Sequence, residues 1–251
     1  MLTCDDVTVR YGDRTVVDRM SFRLEAGQWM MLVGPNGAGK TTLIEAITRG
    51  VPYTGKVLWE GRDTRAMKPR ELARLIGVLS QKNAVGYAYT VEEVVGLGRY
   101  AHKAGFITRG DGDGTRHVEE ALEMTGLTSL RHASMLTLSG GEMQRAFLAQ
   151  VFAQDPRVLI LDEPANHLDL KYQRDIFSLI GQWLKAPGRA VLSVVHDLSL
   201  ARRYGTHAVL MDEGRNTAMG PIGTVLTKEA LEAVYGMDVY AWMRESLVVW
   251  Q

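Results

Sequence analysis

Along the first quarter of the chain apolar and polar residues alternate, as at Val7, Val9 and Tyr11 and again at Phe22 and Leu24. This is the period of strands with one buried face. Gly12-Asp13 and Ala26-Gly27 supply turns, so the pattern predicts a small antiparallel β subdomain, joined later by a strand over 56–59 after Gly55. Continuous apolar runs then appear at 29–33, 76–79, 158–161, 190–195 and 208–211. Runs of this kind suit strands covered on both faces of a mainly parallel sheet, with helices packed on each side.

Between the 76–79 and 158–161 runs the period changes to that of helices. Val118, Ala121, Leu122 and Thr125 fall on one helical face that stops at Gly126, and Phe147, Leu148, Val151 and Phe152 mark a second helix. An inserted helical subdomain is predicted over about 84–150. A further helix runs through Ile176, Phe177, Ile180 and Trp183 to Pro187-Gly188. Within the last thirty residues only one short helix is predicted, over 228–234 before Gly236. The fold class is α/β, one domain over 1–251, with approximate parts 1–83 (β subdomain and first half of the core), 84–150 (helical) and 151–251 (remainder of the core).

Composition narrows the class. The chain has 251 residues, enough for a full core, and its 29 basic and 29 acidic residues cancel. No charge excess draws it to nucleic acid, and no nucleic-acid partner is expected. Cys4 is the single cysteine, which excludes a disulfide framework and fits a reducing compartment. The apolar runs at 29–33 and 191–195 are far shorter than the roughly 20 residues of a bilayer crossing, and the N-terminus has no signal-peptide pattern. Any membrane role therefore calls for a partner.

Chemistry enters directly after the first buried run. Gly34-Pro35-Asn36-Gly37-Ala38-Gly39-Lys40-Thr41, followed by Thr42, fits the phosphate-loop pattern G-x-x-x-x-G-K-[ST]. Glycines let backbone N–H groups face a triphosphate, and the helix that follows adds its positive end. Lys40 is placed to reach the β and γ phosphates of ATP, and Thr41 to hold Mg²⁺. At the end of the 158–161 run stand Asp162 and Glu163. Adjacent carboxylates beside a buried strand need a cation or a proton task; Asp162 suits Mg²⁺ and Glu163 the general base that polarises the attacking water.

Leu138-Ser139-Gly140-Gly141-Glu142-Met143-Gln144-Arg145, standing between these two motifs, resembles the signature motif of ABC ATPases. Read as chemistry, Ser139 caps a helix whose N-terminus can point at an anion. The resemblance runs from Tyr11 to about Met211 and implies a P-loop NTPase core. It implies that Gln81 senses Mg²⁺ and water, that His196 faces the γ-phosphate and that Tyr11 stacks on adenine. It also implies that Ser139, Gly140, Gly141 and Glu142 complete the ATP site of a second copy in a sandwich homodimer, with Asn166-His167-Leu168-Asp169 crossing the interface. Glu142 departs from the glutamine found in many relatives.

Two segments are narrower. Tyr89-Thr90-Val91-Glu92-Glu93-Val94-Val95-Gly96-Leu97-Gly98-Arg99-Tyr100-Ala101-His102 and the 163–170 stretch resemble ATPases of iron-chelate, haem and cobalamin importers. The first is also readable as an amphipathic helix with Val91, Val94, Val95 and Gly98 inward. The resemblance implies integral permease subunits, a substrate-binding protein acting indirectly, and a place at the cytoplasmic face of the cell membrane. A molybdate-type importer ATPase and a soluble ABC ATPase without transport stay open. Gly110-Asp111-Gly112-Asp113-Gly114 lacks the pattern of a calcium loop and is read as a solvated loop, and His102, His117, His132 and His207 show no metal-ligand spacing.

Overall fold

The computed structural model describes residues 1–81, 87–102 and 112–249. In chain order the elements are β1 (Leu2–Tyr11), β2 (Arg14–Leu24), β3 (Trp29–Val33), α1 (Lys40–Ile47), β4 (Thr54–Trp59) and β5 (Arg62–Asp63). Then follow α2 (Pro69–Leu75), β6 (Ile76–Leu79), α3 (Val91–Leu97), α4 (Gly112–Met124), α5 (Gly140–Ala153), β7 (Val158–Asp162), α6 (Leu170–Leu184) and β8 (Ala190–Val194). The last are α7 (Leu198–Tyr204), β9 (His207–Asp212), β10 (Arg215–Pro221), α8 (Ile222–Val225), α9 (Lys228–Tyr235) and α10 (Val239–Val248). Contacts divide the chain into one unit of residues 1–65 with 194–251 and a second of residues 66–193. The stretch expected to be helical, 84–150, lies within the second unit.

In the first unit β1 pairs antiparallel with both β2 and β4, and β5 extends from β4 to complete a four-stranded sheet. Val7, Val9, Val17, Phe22 and Leu24 are buried on it while Arg10 and Arg23 are exposed, which is what the alternation requires. β3, buried along its whole length, pairs parallel with β9, and β9 pairs antiparallel with β10. Val195 N–H donates to Leu32 C=O at 3.4 Å, so the chain leaving β8 runs beside β3.

In the second unit β6 pairs parallel with β7 from Ile76 and Val158 onward. Ala190 N–H donates to Arg157 C=O at 3.0 Å, which starts β8 beside β7. α5 packs against α3, α4 and α6. Phe152 of α5 stacks on Trp183 of α6 with ring centroids 6.0 Å apart, and the Arg189 guanidinium covers the indole at 4.5 Å. Thr90 caps α3 in a reciprocal box with Glu93, and Arg131 ties Glu92 of α3 to Glu119 of α4.

Two expectations need correction, and one strand was not foreseen. The last thirty residues hold α8, α9 and α10 rather than one helix. Only Val239 of α10 is buried, so no apolar stripe announces that helix; its local sign is Asp238, whose carboxylate accepts from Ala241 N–H at 2.9 Å. β10 was not predicted because it is a mostly exposed edge strand without an apolar run. In the glycine and aspartate run expected to be a loop, Gly110 and Asp111 lie outside the described residues and Gly112 already begins α4. Cys4 is buried in β1, and burial pushes its thiol pKa up, as suits a packing residue.

Candidate functional site

The loop Gly34–Lys40 lies in the first unit, between buried β3 and α1. Gly34 and Gly39 have φ of 154° and 91°, a region that disfavours side chains. Both are also hemmed in: a Cβ on Gly34 would stand 2.1 Å from Met211 O, and one on Gly39 would stand 2.5 Å from Val16 O. The glycines are thus demanded by close backbone approach as well as by conformation. Asn36, Gly37 and Thr41 are exposed, Pro35 and Thr42 are half-buried, and Ala38 is buried. No side chain caps the N-terminus of α1.

Lys40 is 6% exposed, and its Nζ donates to Gly34 O at 2.7 Å and Pro35 O at 2.8 Å. Its charge is therefore held over the loop by the loop's own carbonyls. The turn joining β9 to β10 supports the loop from outside. Gly214 N–H donates to Ala38 O at 3.2 Å and Gly214 C=O accepts from Asp18 N–H at 2.8 Å, while Arg215 and Asp18 form an ion pair at 2.6 Å. Sequence reasoning missed this turn, because only the fold brings residues 211–215 to residues 34–38.

The second unit carries the acidic pair. Asp162 ends β7 at 4% exposure. Glu163, half-buried, has φ of 53°, an uncommon conformation for a side chain that turns the chain sharply off the strand. Two amides grip its carboxylate: Gln81 Nε2 donates to Glu163 Oε2 at 2.9 Å, and Asn166 Nδ2 donates to the same oxygen at 2.5 Å. The fold thus joins Gln81, just past β6, to the end of the neighbouring β7. Asn166 entered the reading only as part of the 166–169 loop; its grip on Glu163 becomes visible through the tight turn in which its N–H donates to Glu163 C=O at 3.1 Å.

At the start of α5, Ser139 and Glu142 form a reciprocal capping box. Glu142 accepts from Ser139 N–H at 2.8 Å and from Ser139 Oγ at 2.7 Å, and these bonds hold its carboxyl below the usual range. Within the chain, Glu142 therefore serves the cap. The two glycines differ: a Cβ on Gly141 would lie 2.4 Å from the Tyr172 ring, whereas one on Gly140 would meet no atom within 4 Å. Gln144, one turn on, donates to Pro164 O at 2.7 Å and so ties α5 to the residue after Glu163. Tyr172 and Gln144 are contributions the sequence did not reveal.

His196 is exposed in the short link between β8 and α7, followed directly by Asp197, which caps α7 by accepting from Ser199 N–H at 2.7 Å. Tyr11, at the end of β1, is 50% exposed. Among the described residues no cluster of three or more His, Cys, Asp or Glu is built to hold a metal ion, and no helix is long and apolar enough to cross a membrane.

The first unit thus carries a glycine-rich loop between a buried strand and a helix, and the second an acidic strand end gripped by a glutamine and a capped glycine pair at a helix start. Residues 17–166 match the family model described as ABC transporter, and the chain belongs to that family. It is 36% identical over 234 residues to the ferric enterobactin transport ATP-binding protein FepC of Escherichia coli, covering 93% of this chain and 86% of that protein. It is 39% identical to the hemin import ATP-binding protein HmuV of Pseudomonas entomophila, covering 95% and 94%. It is also 39% identical to the uncharacterized ABC transporter ATP-binding protein YvrA of Bacillus subtilis, covering 94% of this chain but only 54% of YvrA, so it spans about half the length of that relative. The fold matches cbiO1 from Clostridium perfringens, part of the ABC transporter complex cbiONQ, with a TM-score of 0.80 at 24% identity over 92% of each chain. It matches a nucleotide-free ATP-binding cassette from an ABC transporter with a TM-score of 0.79 at 23% identity over 94% and 95%.

Proposed function

We propose that this chain is the ATP-hydrolysing subunit of a membrane importer whose cargo is a metal chelate: a ferric siderophore, haem or cobalamin. The observation that carries the enzymatic reading is the grip of Gln81 on Glu163, which holds a carboxylate in one orientation at the end of a buried strand. In the reaction so read, water attacks the γ-phosphorus of ATP, the bond to the bridging oxygen of ADP breaks, and Glu163 accepts the proton of the water. Tyr11 stacks on the adenine, and the backbone of residues 34–42 together with Lys40 binds the phosphates. His196 donates to the γ-phosphate as charge develops on it.

The donors assigned to Mg²⁺ are the Thr41 hydroxyl, the Asp162 carboxylate and the Gln81 amide oxygen. All are hard oxygen ligands, and with one carboxylate among them they fit an ion that keeps its waters and shares the nucleotide's phosphates. When bound, Mg²⁺ neutralises charge on the β and γ phosphates.

Ser139 and Gly140 are exposed at the start of α5, an arrangement that supports their completing the ATP site of a second copy. On the second unit, Tyr87, Leu97 and Tyr100 are 74%, 54% and 63% exposed, more apolar surface than a short segment needs for its own packing. This supports docking of permease helices at residues 87–102, at the cytoplasmic face of the membrane. A substrate-binding protein on the far side would deliver the chelate. The names of the relatives FepC and HmuV support the cargo class.

The test of the cargo is uptake of labelled ferric siderophore, haem and cobalamin by host cells lacking this chain, then supplied with the wild type or with Glu163→Gln. Uptake of one of them restored by the wild type alone supports the proposal. Restoration by neither, for any of the three, rejects the metal-chelate assignment.

A further inference from the structure

The last glycine of the phosphate loop and the glycine of the turn between β9 and β10 meet at one carbonyl. A Cβ on Gly39 would stand 2.5 Å from Val16 O, and one on Gly214 would stand 2.4 Å from the same oxygen. The Val16 carbonyl of β2 thus lies against both. The turn itself is Glu213-Gly214, two residues with φ of 44° and 79°, as the tight turns of two-residue hairpins require. It is fastened to β2 twice: Asp18 N–H donates to Gly214 C=O at 2.8 Å, and Arg215 brings Nε at 2.8 Å and Nη2 at 2.6 Å to Asp18 Oδ2.

The turn reaches the loop through one peptide group. Gly214 N–H donates to Ala38 C=O at 3.2 Å. A planar trans peptide sets its C=O and N–H in opposite directions, so holding the Ala38 carbonyl toward the turn sends the Gly39 N–H away from it. Gly39 is the N-cap of α1, a helix start that no side chain caps, and its N–H falls among the donors available to an anion there.

We propose that Asp18 and Arg215 are positioning residues of the phosphate loop: their ion pair holds the Gly214 turn against Ala38 and so sets the direction in which the Gly39 N–H meets the nucleotide. The inference rests on the reading of residues 34–42 as a nucleotide phosphate site. It adds to that reading a pair of residues outside every motif.

The test compares Arg215→Gln with Arg19→Gln in the full chain. Arg19 is the control, since its Nε stands 3.5 Å from the other Asp18 oxygen, Oδ1, and lies on β2 itself. Its substitution removes the same charge beside the same carboxylate without releasing the turn. ATP affinity, KM, kcat and melting temperature are measured for both variants, for Asp18→Asn, for the Asp18→Asn/Arg215→Gln double variant and for the wild type. Arg215→Gln is expected to raise Kd and KM for ATP by about three- to fivefold, the upper range for a partly exposed ion pair, with kcat within about twofold. Asp18→Asn should give the same rise and the double variant no more, because both substitutions break one contact. Arg19→Gln leaves Kd and KM unchanged. An unchanged KM in a folded Arg215→Gln, a loss confined to kcat, an equal rise in Arg19→Gln, or effects that add in the double variant overturn the proposal. A wild type that binds no ATP overturns the phosphate-site reading and this inference together, whereas ATP binding by the wild type with no change in Arg215→Gln overturns the inference alone.

Discussion

Gln81 and Glu163 stand on separate segments, yet the Gln81 side-chain amide donates to the Glu163 carboxylate at 2.9 Å. Since Glu163 also sits in left-handed backbone and receives a second amide from Asn166, its carboxylate has little freedom to turn away. The general-base role proposed for Glu163 gives sharp expectations. Glu163→Gln should bind ATP as the wild type does, slow hydrolysis by about two to four orders of magnitude, and accumulate an ATP-bound dimer. Gln81→Ala should lower kcat with a smaller effect on ATP affinity. Steady-state turnover and gel filtration with ATP measure both, and near-normal turnover in Glu163→Gln removes it as the base.

The signature glycines separate an internal demand from an external one. Gly141→Ala drives a Cβ into the Tyr172 ring and should cost about 1–3 kcal/mol of stability. Gly140→Ala meets nothing within the chain, so its melting temperature should hold or rise slightly. If Gly140 lies against the nucleotide of a second copy, the same variant should still lose most of its ATPase activity. Full activity in Gly140→Ala would argue that no second copy approaches there.

Lys40 is nearly buried, with its charge satisfied by two loop carbonyls. Lys40→Ala should weaken ATP binding by about tenfold or more while leaving the helical subdomain folded, as read by equilibrium binding and circular dichroism. Unchanged ATP affinity would contradict the role given to the loop.

Acid should destabilise the protein. Hydrogen bonds from Ser139 hold the Glu142 carboxyl below its ordinary range, those from Thr90 do so for Glu93, and those from Arg215 for Asp18. A carboxylate depressed in the folded state stabilises it above the unfolded pKa, and the contribution is lost as pH falls through the folded value. The melting temperature should be nearly level between about pH 7 and 5 and fall below about pH 4. Glu142→Gln should blunt that fall, and a melting temperature that rises on acidification would refute the assignment.

Sequence and structure agree where a local signal matched what decides the element. The run at 29–33 becomes β3 because both faces of that strand are covered, the run at 76–79 becomes β6 with Ile76 and Leu79 buried and Val78 exposed, and the Val118, Ala121, Leu122 face of α4 is buried as its period requires. The glycine-rich turn between β3 and α1, the acidic end of β7 and the Ser139 cap of α5 were legible as local structure because their signals lie in contiguous residues. Asn166 on Glu163, Gln144 on Pro164, Tyr172 under Gly141 and the turn at Gly214 were not, since each acts through the fold rather than through spacing. α10 and β10 escaped because they bury too little for hydrophobic period to mark them.

The central claim, that this chain powers transport across a membrane, is tested most directly by purifying the tagged protein from gently solubilised host membranes, identifying its companions and assaying ATPase activity in the complex. The account predicts a multi-helix permease together with the chain and an activity that Glu163→Gln abolishes. Recovery with soluble proteins alone, or an ATPase indifferent to any membrane partner, would contradict it.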